Sequence, residues 1–309
     1  MITIVAAAMF GATTLLQGGP EPFNTAGELM SAYEQTTLNA YQRAAAEEYT
    51  GPLLVADHQK AFARLSANLN ELSLADEDLH RFFTMGVRHA FVVETDDAVS
   101  SVAHLYDQLV RRNIATSDDV ESLYRLLIAN RRWAGADELA ATRSDVGLKP
   151  RPAIQSTARR TEYRYGYSPS VDGAWLRETP LMDHAGTGLV VSVHPSCQFS
   201  RDALDAVFAD KGLAPLMREA VLLLSPYTDT LDGKVAAWNA AHPDQPMRYA
   251  IHKRDWPEIS YWGTPSFYFL KDGEVLKKVV GWRKDESGER KAALLEGFRL
   301  IGVEPPADE

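Results

Sequence analysis

The chain has 309 residues, 45% of them hydrophobic and 24% charged, and a formal net charge of -10. That balance belongs to a soluble globular chain of about two domains. Without a Lys/Arg-rich block, the acidic excess excludes a non-specific nucleic-acid or anionic-membrane binder, which needs a basic surface, and a lone cysteine excludes an intrachain disulfide framework.

Residues 1–20 begin MITIVAAAMFGATTL, an uncharged run of small and apolar side chains that resembles the core of a secretory signal and is too short for a comfortable membrane span. It predicts export to the periplasm or another extracytoplasmic space. No Lys or Arg precedes the run and no A-x-A site follows it, so a first buried helix in a cytoplasmic chain, or a membrane tether, stays open.

Residues 21–147 read as an all-α domain. Leu29, Tyr33, Tyr41 and Ala45 recur on one helical face, as do Val102, Leu105, Leu109 and Val110, and then Val120, Leu123, Leu126 and Leu127. In "ATSDD", Thr116 or Ser117 can cap a helix whose first turn carries Asp118 and Asp119. Gly135 in "RRWAGADEL" permits a tight reversal. "LYDQLV" at 105 and "LYRLLI" at 123 echo each other as an antiparallel helix pair would. The stretch 117–144 is weakly similar to tetratricopeptide hairpins, but no sustained period supports a repeat array over a plain bundle.

Residues 148–174 change character to prolines, serines and alternating aromatics, a linker leading into edge strands. From 175 to 303 strands and helices alternate. "GLVVSV" at 188, "AVLLLS" at 220, "RYAIH" at 248, "SFYFL" at 266 and "EVLKKVVGW" at 274 read as strands, with helices over 200–208, 231–241 and 289–301. This predicts an α/β domain, with Asp272-Gly273 as a hairpin turn; residues 304–309 form a tail.

Cys197 follows the strand "GLVVSV" and opens a helix, where free N–H groups and the helix dipole favour the thiolate, the nucleophilic form. Ser200 stands three positions on, where it can hydrogen-bond the thiolate but cannot replace a resolving thiol. His194 reads either as a base or cation beside the thiolate or as a strand-end histidine bonded to backbone, and its position favours the second. His194 and Cys197 do not make a zinc site, which needs three or four ligands, and no G-x-S-x-G elbow supports a serine hydrolase.

C-x-x-S at Cys197 to Ser200, followed by "WGTPSFYFLKDGEVLKKVVGW" from 262 to 282, resembles the thioredoxin superfamily over roughly 175–303. The resemblance implies a thioredoxin-like α/β fold with Cys197 as nucleophile and Ser200 in the resolving position. Pro265 would be a cis-proline, and Thr264 would present its backbone to a substrate strand. The 68 positions from Cys197 to Pro265 exceed the family's usual spacing and imply an insertion within 211–260. Trp262 and Trp282 would flank the active face, as a rim for a peptide or as ordinary buried residues.

"CQFSR" is also similar to the C-G-F-S-R motif of monothiol glutaredoxins, which use glutathione and can share an iron–sulfur cluster. Gln198 replaces the motif's glycine, and no Gly-Gly pair follows the last strand. Peroxiredoxins carry a Pro and a Thr where Val190 and His194 stand. The reading implied is monothiol exchange on protein disulfides or glutathione mixed disulfides, completed by an external thiol, with no cofactor. The alternative is a non-catalytic thioredoxin-fold module; the helical domain would bind another protein in either case.

Overall fold

Capping signals and apolar stripes divide the N-terminal half into successive helices. The computed structural model describes residues 25–45, 51–69, 74–226, 228–283 and 287–304; the signal-like segment 1–20 and most of the tail lie outside them. Six helices come first: α1 (Ala26–Ala45), α2 (Gly51–Leu69), α3 (Asp76–Val93), α4 (Asp96–Arg111), α5 (Ser117–Ala129) and α6 (Trp133–Thr142). Thr95 caps α4 by accepting from the Ala98 N–H at 3.2 Å. Thr116, not Ser117, caps α5 in a reciprocal box with Asp119, which meets two orphan N–H groups at once. The echoing segments do form the neighbouring helices α4 and α5.

Within the apolar stripes Leu109 is fully buried, whereas Val110 and Tyr41 are exposed. Adjacent residues point about 100° apart on a helix, so Leu109 and Val110 cannot both face the core. The reversal between α5 and α6 falls at Arg131, which takes φ 57°, not at Gly135, which lies inside α6.

The C-terminal half is a mixed sheet of eight strands with helices. Its strands are β1 (Ala153–Gln155), β2 (Tyr163–Pro169), β3 (Trp175–Asp183), β4 (Gly188–Ser192), β5 (Val221–Ser225), β6 (Met247–Ala250), β7 (Ser266–Lys271) and β8 (Glu274–Val280), in the order β1-β3-β2-β6-β5-β4-β7-β8. β4, β5 and β6 run parallel to one another, while β7 is antiparallel to both β4 and β8. Interspersed are α7 (Gln198–Ala209), α8 (Leu213–Ala220), α9 (Lys234–Ala241) and α10 (Ser287–Leu300). Asp272 (φ 53°) and Gly273 (φ 83°) make the expected hairpin turn between β7 and β8.

Two expectations need correction. The stretch 148–174 is more than a linker to edge strands: β1 is an edge, but β2 is interior, paired with β3 on one side and β6 on the other. Its aromatic alternation reflects burial, not an edge, with Tyr165 and Tyr167 almost fully covered. An additional helix, α8, falls between α7 and β5, where the sequence offers only a short amphipathic stretch.

Both faces of the central strands are covered, which explains the continuous apolar run of β4. Leu189, Val191, Phe267 and Phe269 face the larger cluster, and Val190, Tyr268 and Leu270 face a smaller one closed by Trp256 and Ile259. The larger cluster also takes in Leu123, Leu126, Ile128 and Leu139, so the helical and sheet regions share a core. Arg131 bolts the junction: its buried guanidinium donates to the carbonyls of Ile128 (2.9 Å), Asp229 (3.1 Å) and Ala250 (2.9 Å).

Candidate functional site

Cys197 sits where β4 ends and α7 begins, because Pro195 and Ser196 break the strand and Cys197 takes extended dihedrals as the helix N-cap. Its N–H donates to the His194 carbonyl at 3.0 Å, and Arg201 reaches back to the Pro195 carbonyl at 2.6 Å, fixing the loop. Opposite lies the segment 261–264 ahead of β7. Ser192 donates to the Trp262 carbonyl (3.2 Å), Ser266 to the Gly263 carbonyl (2.6 Å), and the Tyr268 hydroxyl to the Tyr261 carbonyl (2.6 Å). Three buried strand side chains thus hold this segment in front of the thiol. The Thr264–Pro265 peptide is cis, and the Gly281 N–H donates to the Pro265 carbonyl at 2.8 Å.

The Cys197 thiol donates to the Thr264 carbonyl at 3.3 Å. Burial pushes the thiol pKa up, but the Thr264 hydroxyl, the Ser200 N–H and hydroxyl, and the Phe199 N–H together pull it below the ordinary value. This is the first turn of a helix offering its free donors to a developing anion. Ser200 is fully buried, and its Oγ accepts from the His194 N–H at 3.3 Å, so its hydroxyl proton is available to the sulfur.

His194 turns away from this arrangement. Its Nδ1 accepts from the Ser196 N–H at 3.1 Å, and its Nε2 lies 3.0 Å from Asp229 Oδ2. Since Nδ1 accepts, Nε2 carries the ring proton and donates it to the carboxylate. Asp229 is buried and also accepts from Ser225 Oγ (2.6 Å) and the Leu231 N–H (2.7 Å). The strand-end reading of His194 fits, with a carboxylate as its second partner.

A cleft of about 490 Å³ opens over the thiol, lined by Cys197, His194, Trp262 and Thr264 and, on its far wall, by Arg125, Asp232 and Lys234. Phe199 stands 58% exposed one helical position from Ser200. Trp282 does not flank the cleft: it is buried against Phe267 at 6.3 Å between ring centroids, because Gly281, at φ 76°, turns the chain back into the core. Gln198 bonds Asp202 along its own helix at 2.8 Å.

The structure therefore brings Cys197, Thr264 and Trp262 to one cleft, with Ser200 and Pro265 buried beside it and His194 on its wall but bonded to Ser196 and Asp229. Asp229, Arg125 and Phe199 do not stand out from sequence. Asp229 follows β5 and meets His194 only through the β4–β5 pairing. Arg125 lies on the exposed face of α5 and has the pattern of any solvated charge. Phe199 alone carries a local signal, an aromatic next to the motif's serine. Among the described residues no cluster of three or more His, Cys, Asp or Glu could hold a metal ion, and no helix is long and apolar enough to cross a membrane. No family model, curated protein or solved structure matches the chain.

Proposed function

We propose that the chain is a thioredoxin-like protein of monothiol type, in which Cys197 carries out thiol–disulfide exchange on protein disulfides or glutathione mixed disulfides. The observation that carries this reading is the sulfur's setting. It is a helix N-cap with Ser200 and Phe199 donors on one side, faces the Thr264 carbonyl ahead of a cis-proline, and opens into a cleft. In the first step the Cys197 thiolate attacks one sulfur of the substrate disulfide. A new S–S bond to Cys197 forms, the old one breaks, and the departing thiolate takes up a proton. Ser200 has no sulfur with which to resolve the product. An external thiol attacks in turn, giving a second disulfide and returning Cys197, so the cycle involves no net oxidation of the protein.

Exposed Phe199 and half-buried Trp262 provide apolar surface on either side of the thiol for an extended peptide. Export to an extracytoplasmic space, the expectation from residues 1–20, fits a partner pool rich in disulfides. One observation favours the alternative, a non-catalytic module that binds protein. The thiol donates to the Thr264 carbonyl, a bond that holds the neutral form and is lost on ionisation.

Alkylation of the native protein across pH separates the two. Exchange chemistry expects a midpoint below about 8.5, the free-cysteine value, and a mixed disulfide trapped at Cys197 that Cys197→Ser abolishes. A thiol that titrates at or above that value, or stays inert until the protein unfolds, would overturn the catalytic reading in favour of binding.

A further inference from the structure

A second, larger cavity of about 700 Å³ lies where the helical region meets the sheet, away from the thiol. Its wall is formed by Val55, Val93 and Glu94 from the helical side and by Lys253, Trp256 and Ile259 from the segment after β6. A volume of that order suits a small organic molecule.

Most charges around it are already matched. Arg131 is committed to the three carbonyls of the junction, and Arg132 is paired with Asp96. His252 is kept neutral by burial, its pKa pushed down to about 4. Arg254 is exposed to solvent. Three groups are not matched. The Glu94 carboxyl and the Lys253 ammonium attract each other electrostatically, yet among the described residues neither forms a hydrogen bond or ion pair through its side chain. Trp256 is fully buried, and its indole N–H finds no acceptor among the described residues. Burial pushes the Glu94 pKa up to about 8 against the pull of Lys253, Arg131 and Arg254, and pushes that of Lys253 down against the pull of Glu94, so desolvation outweighs attractions that no close pair reinforces.

An isolated amine would answer Glu94 and leave Lys253 and Trp256 unmet, and an isolated carboxylate would do the reverse. A molecule carrying both charges a few ångströms apart, with an apolar remainder against Val55, Val93 and Ile259, answers all three. We propose that this cavity binds a free apolar α-amino acid. Glu94 takes its ammonium, Lys253 takes its carboxylate with the Trp256 N–H as a further donor on that wall, and the side chain fills the apolar part.

The test is calorimetric titration of the full chain with leucine, isoamylamine and N-acetyl-leucine. The last two remove the carboxylate and the ammonium charge in turn, on an unaltered protein. Leucine is expected to bind saturably and raise Tm, with each analogue at least about tenfold weaker, the loss of one charge-assisted contact. Glu94→Gln should weaken leucine by a similar factor while sparing N-acetyl-leucine, and Lys253→Met should weaken leucine while sparing isoamylamine. The proposal is overturned if leucine gives no saturable heat at millimolar concentration, if either analogue binds as tightly as leucine, or if both folded variants bind leucine unchanged.

Discussion

Removing one hydroxyl tests the reading of the thiol site. Ser200→Ala deletes the side chain that both accepts from the His194 N–H at 3.3 Å and stabilises an anionic sulfur at Cys197. A hydrogen bond to a charged group contributes roughly 1.5–3 kcal/mol when sheltered. The sulfur is only partly covered, so solvent reduces this to about 1 kcal/mol. That raises the Cys197 pKa by about 0.7. The sign is fixed because the hydroxyl donates to the thiolate and has less to give the thiol.

The assay is the rate of iodoacetamide alkylation of the folded protein against pH. Below both midpoints the variant should react about fivefold more slowly than the wild type, and at alkaline pH, where both are fully ionised, the rates should converge. His194→Asn serves as control and should leave the midpoint in place, since both ring nitrogens are bonded away from the sulfur. Loss of Ser200 also leaves the part-buried His194 N–H without its acceptor, at about 1 kcal/mol of stability, so a melting curve must show the variant folded. Equal alkylation rates for folded Ser200→Ala and wild type at pH 6 to 7 would refute the reasoning, and a midpoint that moved with His194→Asn would reinstate the histidine as the activating group.

Arg131→Met should cost more than about 3 kcal/mol in chemical denaturation, because three buried carbonyls lose a charged donor at once; a loss under about 1 kcal/mol would show that the junction does not depend on it. At Gly297→Ala the added methyl would overlap the buried Phe269 ring. Overpacking of about 1–3 kcal/mol should then outweigh the gain of about 1 kcal/mol in helix propensity, lowering Tm rather than raising it. Glu94 has a folded-state pKa of about 8, raised from 4.5, so the folded state holds its proton more tightly. Its contribution is complete below the unfolded value and is lost as pH rises to the folded one. The Tm of Glu94→Gln should therefore gain on the wild type between those two values and level off above them, and a gap that does not change with pH would count against the burial of this carboxyl.

The legible parts of the site share a property: each is fixed within a few residues of chain. Cys197 follows a continuous apolar strand and precedes a helical stripe, so its place at a helix start follows from local pattern, as do Thr264 and Pro265 just ahead of β7. Ser200 needs only the helical spacing. What escapes is set by pairing between distant segments. His194 can be placed at a strand end, but its partner Asp229 comes from the loop after β5, and only the parallel β4–β5 register brings the two together. Trp282, which the resemblance leaves either on the active face or buried, goes to the core because the positive φ at Gly281 ends the alternation of β8.

The same reasoning explains why two domains read from sequence share one core. Periodicity reports that an element has an apolar face, but not what covers that face. Leu123 and Leu126 on α5 look as though they complete a helical bundle, and Tyr165 and Tyr167 look like one side of an edge strand. In the structure they belong to the same buried cluster, with Trp133 near Tyr167 at 6.5 Å between ring centroids. The stretch 148–174 has the composition of a loop, yet it supplies β1 and β2, and β2 carries aromatic cover between the two regions. The helical region is accordingly part of both candidate sites, since Arg125 on α5 lines the cleft of Cys197 and Glu94 after α3 lines the second cavity. A fragment of residues 175–303 alone, the span the motif resemblance covers, would lack β1, β2 and Arg131. It should therefore expose β6 as an unpaired edge and lose the Arg125 side of the thiol cleft.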